Sequence, residues 1–107
     1  MKLAIILTSK NPEINWNAFR LANLALGKGD EVRIFLLGEA VEYYKVNQEP
    51  FNIQEQVDIF LQTEKAKLIA CGTCMDMRHQ KNSKTCPTGG IQDLYSLIVT
   101  SDKVLTF

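Results

Sequence analysis

Leu3-Ala4-Ile5-Ile6-Leu7 contains no polar residue, and three later segments have much the same character: Val32-Arg33-Ile34-Phe35-Leu36-Leu37, Leu68-Ile69-Ala70-Cys71 and Lys103-Val104-Leu105-Thr106-Phe107. A strand with one wet face alternates apolar and polar side chains. An uninterrupted apolar run fits a strand covered on both faces, the usual state of a strand in a parallel sheet. Such strands need helices above and below them, and the rest of the sequence has to supply those helices.

The intervening segments do so. Asn11-Pro12 is a helix start: the Asn side chain caps the first turn, and Pro at the first helical position loses no hydrogen bond. That helix is predicted to run to about Leu26, with Gly27 and Gly29 stopping it. Glu39 to about Lys45 predicts a short helix, and Asn47 to Phe51, with Pro50, a loop. Ile53, Val57, Phe60 and Leu61 fall on one helical face, and the spacing carries that helix to Glu64. Met75 to His79 opens a further helix, and Ile91, Leu94, Tyr95 and Ile98 mark the face of the last one. Asn82 to Gly90 is polar and mostly loop, with a short strand expected around Thr85 and Cys86. Strands alternating with helices predict right-handed crossovers and an α/β fold: a three-layer α/β/α sandwich whose mainly parallel sheet has four to five strands. A chain of 107 residues suffices for one such domain, spanning 1–107, with one core.

Charge and hydropathy exclude several classes of partner. The formal net charge is zero and Lys and Arg are scattered, so the chain lacks the electrostatic footprint of a nucleic-acid binder. No apolar stretch approaches the roughly 20 residues that cross a bilayer, so no membrane partner is expected. Leu3 to Leu7 is too short for the core of a signal peptide, and no small-residue cleavage site follows it, so the expected location is cytoplasmic. In a reducing compartment, three cysteines with two of them in a C-x-x-C point to thiol or metal chemistry rather than to a structural disulfide.

Parallel sheets bind ligands at the carboxyl ends of their strands. Three such ends are Ser9-Lys10-Asn11, Gly38-Glu39 and Cys71-Gly72. Ser9, Lys10, Gly38, Gly72, Arg78 and His79 are therefore candidate binding residues, although Lys10 and Glu39 also fit plain surface charge. Cys71 stands where a strand ends and a helix begins. Backbone N–H groups and the helix dipole favour a thiolate there, and the thiolate is the nucleophilic form. Arg78, His79 and Lys81 add positive potential, which Asp76 opposes. Gly72 leaves room for a substrate to approach the sulfur. Cys74 lies one turn further on the same face, placed to resolve a mixed disulfide or to accept sulfur from Cys71. Cys86 is a third thiol of the site, a metal ligand or a bystander. His79, the single histidine, is a candidate base or a solvated helix residue. Trp16, Phe19, Tyr43 and Tyr44 fit packing or subunit contacts better than ligand stacking.

Two alternatives use the same residues. Cys71-x2-Cys74-x4-His79-x6-Cys86 is a Cys3His set of the type that holds structural zinc. Against it, a helix from Thr73 would turn His79 to a different face from Cys74, and the domain has enough apolar surface to fold without a metal. Cys-Gly-x-Cys between strand and helix is also similar to the active site of thioredoxin. Ala70, however, stands where that family has Trp, and no later strand begins with the proline that family sets against its disulfide.

The whole chain resembles the DsrE/DsrF-like family of small sulfur-relay proteins. The resemblance rests on the apolar strand with a polar tail from Leu3 to Asn11, the long first helix, and the second strand ending in Leu36-Leu37-Gly38-Glu39-Ala40-Val41. It continues with the third strand running into Ala70-Cys71 and the closing Ser101-Asp102-Lys103-Val104-Leu105-Thr106-Phe107. It implies an α/β/α sandwich assembled as a homo-oligomer, a trimer or hexamer. It also implies sulfur held as a persulfide on the cysteine after the third strand, here Cys71, with Arg78 near the family's downstream basic residues. The expected role is thus sulfur relay or thiol exchange, as a sulfurtransferase or sulfur carrier. Protein donors and acceptors of sulfur are the expected partners, and no resident cofactor is expected.

Overall fold

The apolar runs become the strands of one parallel sheet, as their lack of alternation requires. The computed structural model describes residues 1–46, 48–80 and 87–107. Along it run β1 (Lys2–Leu7), α1 (Pro12–Gly27), β2 (Glu31–Leu36), a 3-10 helix (Gly38–Lys45), α2 (Ile53–Phe60), β3 (Ala66–Cys71), α3 (Gly72–Met77), β4 (Thr88–Gly89), α4 (Ile91–Val99) and β5 (Lys103–Thr106). The strand order is β4-β3-β2-β1-β5, and every neighbouring pair is parallel. From β1 to β4 the chain steps sideways one strand at a time; the last crossover carries β5 back to the far side of β1. Right-handed crossovers therefore put α1 and α2 on one face of the sheet and α4 on the other.

Register decides which side chains form the core. Leu3, Ile5 and Leu7 lie beside Val32, Ile34 and Leu36, which lie beside Ala66, Leu68 and Ala70. Most of that face is sealed by α1 and α2. Asn11 accepts from Ile14 N at 3.1 Å and starts α1 at Pro12, as the sequence predicts. The small buried Ala18 and Ala22 let α1 lie close to the sheet, and Phe19 meets Phe60 of α2 edge-on at 5.7 Å. Burial of this kind stabilises the fold by about 1.5–3 kcal/mol per large apolar side chain. On the opposite face, Arg33 donates to Ser101 Oγ at 2.8 Å and to the Leu97 carbonyl at 3.4 Å, tying β2 to the end of α4.

Three elements differ from expectation. Helix α2 ends at Phe60 rather than Glu64, because the chain must turn before β3 begins at Ala66 opposite Val32. The short strand after α3 is Thr88–Gly89, paired with Ala70 and Cys71; Thr85 and Cys86, where it was expected, lie outside the described residues. In α4 the anticipated face divides. Leu94 and Leu97 are buried against the sheet, whereas Ile91 is 72% and Tyr95 68% exposed, with Ile98 and Val99 also outside. The aromatic residues follow the packing reading. Trp16 meets Phe51 edge-on at 5.4 Å with the Arg20 guanidinium 4.3 Å over its ring, and Tyr43 lies 6.3 Å from Phe19.

Candidate functional site

The carboxyl ends of β2 and β3 lie side by side, with Leu36 paired to Ala70. Beyond β2, Gly38 takes φ of +60°, a left-handed conformation open to glycine because it has no Cβ. In that conformation its backbone N–H donates to Cys74 Sγ at 3.2 Å. Beyond β3, Cys71 caps α3, and its own Sγ accepts from Cys74 N at 3.4 Å. Both sulfurs are thus gathered at the first turn of α3, each facing a backbone N–H group.

The electrostatics correct one expectation. Sequence reasoning favours a Cys71 thiolate through the helix dipole, an effect of about 0.3–1 kcal/mol at exposed sites. Helix α3 has only six residues, however, and Cys71 is 8% exposed. Burial pushes the Cys71 thiol above its ordinary value of 9.0, and the adjacent Cys74 side chain pushes it the same way; the Cys74 N–H opposes them without prevailing. Burial thus works against the thiolate that the helix start favours. Cys74 is half-buried, the less enclosed of the two residues.

The cationic residues are not aimed at sulfur. Arg78 pairs with Glu42 of the 3-10 helix at 2.8 Å and donates to the Cys74 carbonyl at 3.1 Å. Glu42 also pairs with Lys45 at 3.0 Å. Lys45 and then Arg78 hold its carboxyl below the ordinary value of 4.5, with a smaller contribution from Lys10. Gln80 adds donors to the Val41 carbonyl at 3.1 Å and to the Tyr44 hydroxyl at 2.7 Å. These contacts fasten the end of α3 to the 3-10 helix and so hold Cys74 under Gly38. His79 has φ of 55°. Its N–H reaches the Asp76 carbonyl at 3.1 Å while Gln80 N reaches Met75 O at 2.9 Å, the pair of bonds that closes a helix through a left-handed residue. That puts His79 past the far end of α3 from Cys71, with its side chain exposed.

Ser9 shapes the turn after β1: its hydroxyl accepts from Asn11 N at 2.9 Å and its carbonyl accepts from Asn15 Nδ2 at 2.8 Å. Lys10 is exposed. A Cβ at Gly72 would meet Thr88 Cβ at 3.7 Å and the Gly89 carbonyl at 3.8 Å, so β4 already lies in ordinary van der Waals contact on that side, which is not open space for a substrate. Cys86 and Lys81 lie outside the described residues. Among the described residues no three His, Cys, Asp or Glu side chains converge as a metal-binding group. A polar cleft lined by Lys2, Glu31, Arg33, Glu64, Lys65 and Lys67 lies at the amino ends of the strands, opposite the thiols. Sequence reasoning missed the Gly38 N–H as a partner for sulfur, and Glu42 and Gln80 as fasteners. Only the Glu42–Lys45 spacing gives a local signal; the other contacts join positions 36 or more apart.

Two sulfurs of unequal exposure, adjacent and each supplied with a hydrogen-bond donor, can exchange a sulfur atom or a disulfide bond. Comparisons with known proteins bear on the choice. A model of the DsrE/DsrF-like family matches residues 1–107. An uncharacterized protein of Methanocaldococcus jannaschii is 30% identical over 114 aligned positions that cover 100% of both chains. The crystal structure of the ychN protein from E. coli superposes with a TM-score of 0.80 at 27% identity, again covering 100% of both chains.

Proposed function

From the premise that this chain belongs to the DsrE/DsrF-like family, we propose that it relays sulfur through Cys71 and Cys74, with sulfur carried as a persulfide on Cys71. In this reading a donor R–S–SH gives up its outer sulfur: a bond to the protein's sulfur forms, the donor S–S bond breaks, and R–SH leaves with the displaced proton. An acceptor thiol later takes the sulfur by the same step in reverse. No oxidant and no resident cofactor is needed. The observation that carries the reading is the meeting of two thiols at the carboxyl ends of β2 and β3, bridged by the Cys74 N–H on Cys71 Sγ at 3.4 Å. Such strand ends are where parallel sheets do their chemistry.

The reading includes protein partners that donate and accept sulfur, and a cytoplasmic setting in which the thiols stay reduced. It also includes a homo-oligomer, a trimer or hexamer. Exposed apolar side chains on α4 and β5, among them Tyr95, Val99, Val104 and Leu105, support that assembly. No helix of the described residues is long and apolar enough to cross a membrane.

Intact mass after incubation with inorganic polysulfide tests the relay. Wild type is expected to gain ~32 Da per sulfur, removed by dithiothreitol, and the Cys71→Ser/Cys74→Ser double variant, which keeps Cys86, far less. A wild type that gains nothing, or a double variant that gains as much, refutes the proposal.

A further inference from the structure

We infer that Cys74 is the port through which sulfur enters and leaves, and that Cys71 is an inner store loaded from it. The inference rests on the relay proposed above and assigns an order to its two thiols. Attack on a persulfide requires the incoming sulfur to approach in line with the S–S bond, so the first acceptor must be reachable from solvent. Cys71 is 8% exposed and lies beneath the first turn of α3. Cys74 is half-buried on that turn, less enclosed than Cys71, and its sulfur is held by the Gly38 N–H at 3.2 Å.

That N–H gives the geometry its chemical sense. Cys74 Sγ carries negative charge as the thiolate that attacks a donor, and regains it as the leaving sulfur when sulfur moves inward. A backbone donor already aimed at the atom stabilises both moments without rearrangement. The left-handed Gly38 makes that aim available, and the Arg78–Glu42 pair holds the helix carrying Cys74 against the segment carrying Gly38.

The two steps balance. Cys74–SH and R–S–SH give Cys74–S–SH and R–SH; the donor S–S bond breaks, a new one forms at Cys74, and the thiol proton goes to the leaving sulfur. Then Cys71–SH and Cys74–S–SH give Cys71–S–SH and Cys74–SH; the S–S bond moves inward and the Cys71 proton goes to Cys74. Nothing is oxidised or reduced overall. Burial of Cys71 also shields the stored persulfide from adventitious thiols until Cys74 takes the sulfur back.

Two measurements on the folded protein decide it. Iodoacetamide at neutral pH, followed by peptide mapping, is expected to label Cys74 of the wild type about tenfold faster than Cys71. With inorganic polysulfide as donor, Cys74→Ser is expected to slow the arrival of sulfur at Cys71 about tenfold, whereas Cys71→Ser holds its sulfur on Cys74 and surrenders it to dithiothreitol about tenfold faster than wild type. Equal labelling of the two thiols, or undiminished loading of Cys71 in Cys74→Ser, overturns the order while leaving the relay standing. Absence of loading on either thiol overturns both. The labelling order is read on the wild type, so it does not depend on any variant folding.

Discussion

At one edge of the sheet β4 contributes only Thr88 and Gly89, closed over by the first turn of α4. At the other edge β5 contributes four residues, Lys103–Thr106, all exposed, with Val104 at 38% and Leu105 at 37%. A bare strand edge invites pairing with another chain, and proteins limit that hazard with short edge strands or by covering them. The β4 edge follows that rule, and the thiol pair lies beside it. The β5 edge departs from it: apolar side chains stay in solvent next to an α4 that is apolar on its outer side as well. The difference separates two kinds of surface: one where the chain covers its own edge beside the thiol pair, and one where apolar area stays exposed.

Changes at each edge test that division. The largest effect is expected at Gly89. A Cβ there would lie 2.8 Å from Ile69 Cγ2, closer than real contacts come, and 3.2 Å from Asp93 Cβ, tighter than most. Gly89→Ala should therefore destabilise the protein by about 1–3 kcal/mol, read from the denaturant midpoint at unchanged slope. A loss below about 0.5 kcal/mol would show that the β4 edge is looser than its geometry implies.

At β5 the same measurement should barely move. The Val104→Lys/Leu105→Lys pair should change stability at low protein concentration by no more than about 1 kcal/mol, because both side chains are already wet. Sedimentation velocity should instead report smaller particles than the wild type forms. A wild type that sediments as a monomer would remove the reason for an open edge.

The smallest effect is expected at Glu42. Its carboxyl titrates lower in the folded chain than in the unfolded one, so the unfolded chain binds the proton first as pH falls. The stabilisation is complete above the ordinary carboxylate value and disappears as pH drops through the lowered folded value. Glu42→Gln should melt slightly below wild type at neutral pH, and the gap should close in acid. A gap that persists unchanged below pH ~3 would assign the effect to packing rather than to the Lys45 and Arg78 pairing.

Much of this was legible from residue order. The continuous run Leu3–Leu7 demanded cover on two faces and obtained it. Asn11-Pro12 started α1 where capping chemistry requires. Cys71 ended β3 as its apolar approach implied. The misses have a common cause. Leu61 and Glu64 continue a helical period, but β3 needs its first residue opposite Val32, and that tertiary demand cut α2 short. In α4, of Ile91, Leu94, Tyr95 and Ile98 only Leu94 faces the sheet, joined by Leu97, and periodicity alone cannot separate these two from the apolar residues facing outward. The Cys71 thiolate was inferred from its place at a helix start. Sequence shows that address but not the depth at which it is buried.

Periodicity, capping and turn residues act over a few positions, and so the sequence by itself determined the order of the elements, their parallel arrangement and the arrival of Cys71 at a strand end. Only the tertiary structure decided which of two neighbouring cysteines is less buried, and that the N–H on Cys74 Sγ comes from Gly38, 36 residues earlier. That contact exists because parallel pairing sets the ends of β2 and β3 level with each other. Distances across such a register depend on every strand and helix that packs against it, and no local pattern carries that information.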